Sequence, residues 1–245
     1  MFKKIIFSIY LVLISSSYAA TNVLMIGDSH TSQSFGIMMH ANLSSIKDTN
    51  VATFGNCGSS PAGWMTRAEW AKTQCGFFHG FVDESGLRGK NKKTPFLEDL
   101  LSNMNVLSEK IYIPDAVIIA LGANQINSID TEKKFTHQKN TVKKMINMVS
   151  KFGIPCLWVG PPDGSLAKKP EAKQSRLYKM LQEAVKESGE YCKFISSRAE
   201  NLSFLEYPED CNRDGAHYDA CTTGRIRAVQ WANAISREAI DHFNL

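Results

Sequence analysis

The chain has 245 residues, of which 43% are hydrophobic and 21% charged, close to the averages of folded globular proteins, so disordered, collagen-like and low-complexity classes are excluded. The 28 basic and 24 acidic residues leave a net charge of only +4, too small to argue for a nucleic-acid partner. The six cysteines include no Cys-x-x-Cys pair, which argues against zinc and for disulfides in an oxidising compartment.

Lys3 and Lys4 precede an apolar run from Ile5 to Ile14 and the small residues Ser15, Ser16, Ser17, Ala19 and Ala20. This is the pattern of a secretory signal peptide, with cleavage expected after Ala19 and an export destination in the periplasm or outside the cell. The run is shorter than the roughly 20 apolar residues a membrane span needs. One domain is then expected over 20–245.

Asn22–Ile26 reads as a buried strand ended by Gly27, and 31–43 as a helix. Val51–Phe54 is a second strand, stopped by Gly55. The stretch 61–93 has no clean period and reads as an elaborate loop rich in aromatic and basic residues, among them Trp64, Arg67, Trp70, Phe77, Phe78, Phe81, Arg88, Lys90, Lys92 and Lys93. Thr94 and Pro95 predict the cap and first residue of a helix reaching about Lys110. The run AVIIALG (116–122) predicts a fully buried strand, and Asp130 the cap of a long amphipathic helix ended by Gly153. A further strand is expected over 154–160, a lysine-rich helix over 167–188, a last strand over 191–196 and a closing helix over 222–243. Lys168, Lys169, Lys173 and Lys179 read as its solvated face.

Strands that are apolar throughout and alternate with helices imply a parallel sheet covered on both faces. The expected architecture is a single three-layer, doubly wound (flavodoxin-like) α/β domain with a five-stranded parallel sheet. Ligands of such sheets bind beyond the carboxyl ends of the strands. Those ends carry a repeated chemistry. Gly27-Asp28-Ser29-His30 follows the first strand, Gly55-Asn56-Cys57-Gly58 the second and Gly122-Ala123-Asn124 the third, while Asp214-Gly215-Ala216-His217 precedes the closing helix. Singly, each has an ordinary reading as a cap or turn. Together they supply a hydroxyl, backbone and amide donors, and a carboxylate spaced to fix a histidine tautomer.

In these blocks the sequence resembles the SGNH hydrolases, a branch of the GDSL esterases and lipases, over nearly the whole chain. The resemblance implies Ser29 as nucleophile, His217 as base and Asp214 as its orienting carboxylate. It also implies an oxyanion hole from the Ser29 and Gly58 N–H groups and the Asn124 amide. Gly224, at the start of the closing helix, fits the family's usual ending. Two departures are His30 after the nucleophile and the lack of an aspartate after Asn124. The implied activity is hydrolysis of short acyl esters, acetyl above all, on a polysaccharide or peptidoglycan, by a monomer that needs no cofactor or metal. A lipid esterase or thioesterase, an acyltransferase and a silent carbohydrate-binding module remain the alternatives. His30, Trp64 and His79 are the expected substrate-lining residues. The cysteine positions suggest the pairs Cys57–Cys75, Cys156–Cys192 and Cys211–Cys221, the middle one because both residues start neighbouring strands.

Overall fold

A computed structural model describes residues 20–68, 71–73, 75–81, 84–89, 92–102, 112–211 and 214–245. The expected signal segment 1–19, Trp70 and Lys90 lie outside the described residues. The strands are β1 (Thr21–Gly27), β2 (Thr49–Asn56), β3 (Phe77–Phe81), β4 (Glu84–Gly89), β5 (Ala116–Ala120), β6 (Cys156–Val159) and β7 (Cys192–Ile195). They form one seven-stranded sheet in the order β4-β3-β2-β1-β5-β6-β7. All five expected strands are present and mutually parallel, from β2 across to β7.

The expectation of a purely parallel, five-stranded sheet needs correction. The stretch read as a loop over 61–93 supplies β3 and β4, which extend the sheet antiparallel beyond β2. Their glycines and charges conceal the strand period, since such residues are depleted in strands. The same stretch holds the short helix α2 (Pro61–Trp64).

The remaining helices are α1 (Ser34–Ser44), α3 (Leu97–Ser102), α4 (Glu132–Ser150), α5 (Glu171–Glu187) and α6 (Thr222–Phe243). The cap of α4 is Thr131 rather than Asp130, its side chain accepting from the Lys134 N–H. The third helix begins at Leu97, three residues beyond the expected Thr94 cap, and 103–111 lie outside the described residues. Helix α5 starts at Glu171 and not at 167, leaving Lys168 and Lys169 in the turn before it.

Alternate residues of the strands serve two cores. Leu24, Ile26, Val117, Ile119 and Trp158 pack with α3, α4 and α5, whereas Val23, Met25, Ile118 and Leu157 pack with α1 and α6. That alternation is the pleat at work. Each fully buried aliphatic side chain contributes about 1.5–3 kcal/mol. All three expected disulfides are present, with Cα–Cα distances of 5.5 Å for Cys57–Cys75, 4.4 Å for Cys156–Cys192 and 5.0 Å for Cys211–Cys221. Cys156 and Cys192 are direct partners in the parallel ladder, which brings their side chains to the same face.

Chain order reverses direction across the sheet between β1 and β5. From β1 the chain runs outward to β2, then crosses back to β5 on the other side. In open α/β sheets ligands bind at such a switch point, here at the carboxyl ends of β1 and β5. Ser29 follows the first of these strands and Asn124 the second.

Candidate active site

The turn after β1 is closely packed. A Cβ on Gly27 would lie 1.9 Å from Thr31 Oγ1 and 2.8 Å from the Ala120 carbonyl, so only glycine fits where the strand bends. Ser32 N–H then donates to Asp28 O at 3.1 Å and Ser32 Oγ–H to Ser29 O at 2.9 Å, closing the turn. Ser29 is 3% exposed and, among the described residues, no hydrogen bond engages its Oγ or its N–H. A hydroxyl so placed is not acting as a helix cap; α1 begins only at Ser34.

Asp219 is what caps that helix. Its carboxylate accepts from the Ser34 N–H and Ser34 Oγ–H, each at 2.9 Å. Asp219 lies two residues after His217, so this bond ties the loop carrying His217 to the helix that follows Ser29. Tyr218, between them, is buried, and its hydroxyl lies 2.9 Å from Asp163 O and 2.5 Å from Leu205 O. The Cys211–Cys221 disulfide closes the base of the same loop. Sequence alone gave no signal for Asp219.

Within the loop, Asp214 Oδ1 accepts the N–H groups of Ala216 and His217, both at 2.9 Å, and Oδ2 accepts from His217 Nδ1–H. The tautomer with Nδ1 protonated leaves Nε2 as an acceptor. Burial opposes the charge of Asp214, but these hydrogen bonds outweigh it and hold the carboxyl well below its usual range.

His30 lies beside His217, their ring centroids 5.7 Å apart and the rings tilted, and meets Trp231 in a T-shaped contact at 5.6 Å. It is 6% exposed, and burial, reinforced by His217 and Lys169, pushes it well below the ordinary histidine range. A neutral imidazole there packs beside His217.

Ser59 joins the second and third blocks to the first. Its Oγ–H donates to Gly27 O at 3.1 Å, and its carbonyl accepts from Asn124 Nδ2 at 2.9 Å. Gly58, at φ +82°, turns the chain in a conformation that other residues rarely adopt, and among the described residues no acceptor is bonded to its N–H. Gly58 and Asn124 are both exposed toward solvent. The three blocks are thus brought together, and one N–H of the Asn124 amide is already used to hold them.

Two of the expected lining residues have other work. Trp64 is fully buried, and its indole N–H donates to Ser59 Oγ at 3.1 Å, so it braces the second block rather than facing substrate. His79 is 1% exposed, bonded to Asn56 Oδ1 through Nε2 at 3.0 Å and packed on Phe54. A tryptophan and a histidine in an unpatterned stretch looked like a wall; the unforeseen strand β3 draws His79 inward. The solvated-face expectation for the lysines holds for Lys168, Lys173 and Lys179, which are exposed, but not for Lys169. Burial lowers the Lys169 ammonium below its usual range, while Asp214 and Asp28 act to raise it.

No protein-family model matches this sequence, and no curated protein matches it. Solved structures do. A carbohydrate esterase family 2 enzyme from Corynascus thermopiles matches with a TM-score of 0.53 and 12% identity, over 92% of this chain and 67% of that one. A catalytic mutant of an acetylxylan esterase from Geobacillus stearothermophilus gives 0.55 and 12%, over 89% and 94%. A protein from Slackia heliotrinireducens assigned to the SGNH hydrolases gives 0.54 and 15%, over 88% and 99%. Strand order, the switch point and these likenesses agree: the chain has the fold of the SGNH hydrolases.

Proposed function

We propose that the protein is an exported serine esterase that removes short acyl groups, acetyl above all, from a carbohydrate. The observation that carries this reading is the tether from His217 to the nucleophile turn. Asp214 orients His217, and Asp219, two residues on, is bonded to the helix that follows an unengaged Ser29. His217 Nε2 takes the Ser29 proton as Oγ attacks the ester carbonyl carbon. The carbonyl oxygen gains charge and is held by the Ser29 and Gly58 N–H groups and the free N–H of Asn124. His217 then returns the proton to the departing alcohol, and water, activated by the same nitrogen, frees the acyl group from Ser29.

The surroundings favour a hydroxyl-rich leaving group over a lipid. A cavity of about 700 Å³ is lined by the Gly164–Ser165 turn, whose Ser165 N–H donates to Gly215 O, by Asp163, Glu171, Arg198, Glu206, Tyr207 and Glu209, and by the apolar Leu166, Ala167, Ala199 and Pro208. Its charged and hydroxyl groups suit sugar hydroxyls. The acetylxylan and carbohydrate esterases among the structural neighbours support the same reading. Export is supported by three disulfides, which involve all six cysteines.

A series of 4-nitrophenyl esters, with acetate release from O-acetylated polysaccharides, tests the substrate class. Activity is expected to be highest at two carbons and to fall steadily beyond about six, with acetate freed from the polymer. An optimum at eight carbons or more would replace this reading with a lipid esterase. Asn124→Ala is expected to lower kcat by about 10²–10³-fold. Because the amide also bonds Ser59 O, the same change should cost about 1 kcal/mol of stability. Unchanged kcat with that stability loss would reduce Asn124 to a turn brace.

A further inference from the structure

A second cavity, of about 290 Å³, adjoins the added edge of the sheet, and Thr66, Arg67, His79, Lys92, Thr94 and Phe96 stand on its wall. It is fixed to the second block from two sides. Cys75, just before β3, is bridged to Cys57 beside Gly58, and His79 Nε2 on β3 is bonded to Asn56 Oδ1 at 3.0 Å. Gly27 is the ladder partner of Gly55, so this end of β2 lies beside the strand that leads to Ser29. The segment carrying Lys92 and Thr94 is held by the Thr73 N–H donating to Lys92 O at 2.9 Å and the Thr94 N–H donating to Ala71 O at 2.7 Å.

His79 is 1% exposed. With Asn56 Oδ1 accepting from Nε2–H, Nδ1 is left as an acceptor; it is buried and, among the described residues, has no hydrogen-bond partner. Burial, reinforced by Lys92, pushes the ring down to about 3, so at neutral pH no proton occupies that nitrogen. Buried polar atoms are nearly always bonded, and this one calls for a donor that the described chain does not supply.

The charge on the same wall is unbalanced. Arg67, Lys92 and Lys93 face a single carboxylate, Asp99, and both oxygens of Asp99 already accept from Arg67, at 2.7 and 2.5 Å. Lys92 Nζ lies 5.2 Å from the centroid of the Phe77 ring, which packs 4.8 Å from the His79 ring, and among the described residues no carboxylate pairs with it. Pro95, Phe96 and Leu100 add apolar surface of the kind on which the C–H face of a sugar ring rests. A neutral sugar would leave the ammonium unanswered, and a bare inorganic anion would leave the imidazole acceptor unanswered.

We propose that this cavity binds an acidic sugar, a hydroxylated ring bearing a carboxylate, with a ring hydroxyl donating to His79 Nδ1 and the carboxylate meeting the Lys92 ammonium. For its place in the reaction the proposal rests on the carbohydrate-esterase reading, and it narrows the polymer to an anionic one.

The test titrates the full protein with trigalacturonate and with xylotriose, a neutral sugar of the same length, at constant ionic strength. Calorimetry reads affinity, and imidazole ¹⁵N NMR reads His79. Trigalacturonate is expected to bind about tenfold more tightly than xylotriose, the scale of one charge-assisted hydrogen bond, and to move the His79 Nδ1 resonance upfield. Lys92→Gln should abolish the preference and Lys92→Arg should keep it, with 4-nitrophenyl acetate turnover within about twofold of wild type in both. Equal affinity for the two sugars, a preference that survives Lys92→Gln, or binding that leaves His79 Nδ1 unmoved would overturn the proposal. Both readouts are of binding, so absence of ester turnover in the wild type would remove the proposed function while leaving this result to stand or fall by itself.

Discussion

Ser29→Ala is expected to lower kcat/KM for 4-nitrophenyl acetate by about 10⁵–10⁶-fold, the scale seen when the nucleophile of a serine–histidine–aspartate unit is removed. Stability should hardly change. Among the described residues the Ser29 hydroxyl makes no hydrogen bond, so its loss leaves no partner stranded. A plain structural serine would behave the other way, losing stability and keeping turnover. The pair of measurements, turnover and thermal melting, therefore separates the two roles. A residual rate within about tenfold of wild type would place the chemistry elsewhere.

Asp28→Asn is expected to stabilise the fold at neutral pH while impairing catalysis. Folding raises the Asp28 carboxyl from its ordinary 3.8 to about 6, chiefly by burial. The folded state therefore binds the proton more tightly than the unfolded chain does. The stability this provides is present below 3.8 and is lost as pH rises through 6, where a buried charge must be kept. A shift of about two pH units corresponds to roughly 3 kcal/mol. Asparagine stays neutral and escapes that loss. The stability of the variant relative to wild type should grow by about 2.4 kcal/mol between pH 4 and pH 7.5, read by urea unfolding at each pH. His30, depressed by burial, loses stability as pH falls below its ordinary value, but does so in both proteins and cancels in the comparison. A difference that stays flat with pH would show that Asp28 is not a buried charge. The neutral side chain should also slow turnover, because it accepts the His30 N–H less strongly.

The central sheet was legible because each parallel strand is an apolar run buried on both faces. Its parallel pairing follows from the alternation with helices. Gly27, Gly58 and Asn124 were legible for a related reason: a strand that must stop at a crevice ends in residues that turn sharply or donate. The Asp214–His217 pair has an ordinary reading by itself and stands out only in company with the other three blocks, whereas the Cys156–Cys192 bridge is legible because both residues start neighbouring strands. Elsewhere the sequence concealed what tertiary contacts decide. Nothing in Phe77–Gly89 alternates cleanly, so the sequence hides β3 and β4, and with them the inward placement of His79. Lys169 resembles its exposed neighbours in sequence. Only the start of α5 at Glu171, and Gln174 on that helix donating to Lys169 O, set it apart from them. Asp219 carries no local signature either, since its partner Ser34 is distant in the chain and the bond exists only once α1 and α6 pack together.

The central claim is that Ser29 is a nucleophile activated by His217. It is tested most directly by treating the protein with a fluorophosphonate and locating the adduct by peptide mass spectrometry. The account predicts stoichiometric labelling on Ser29, lost in Ser29→Ala and strongly slowed in His217→Ala. Labelling at another residue, or of the Ser29→Ala protein at the wild-type rate, would contradict it.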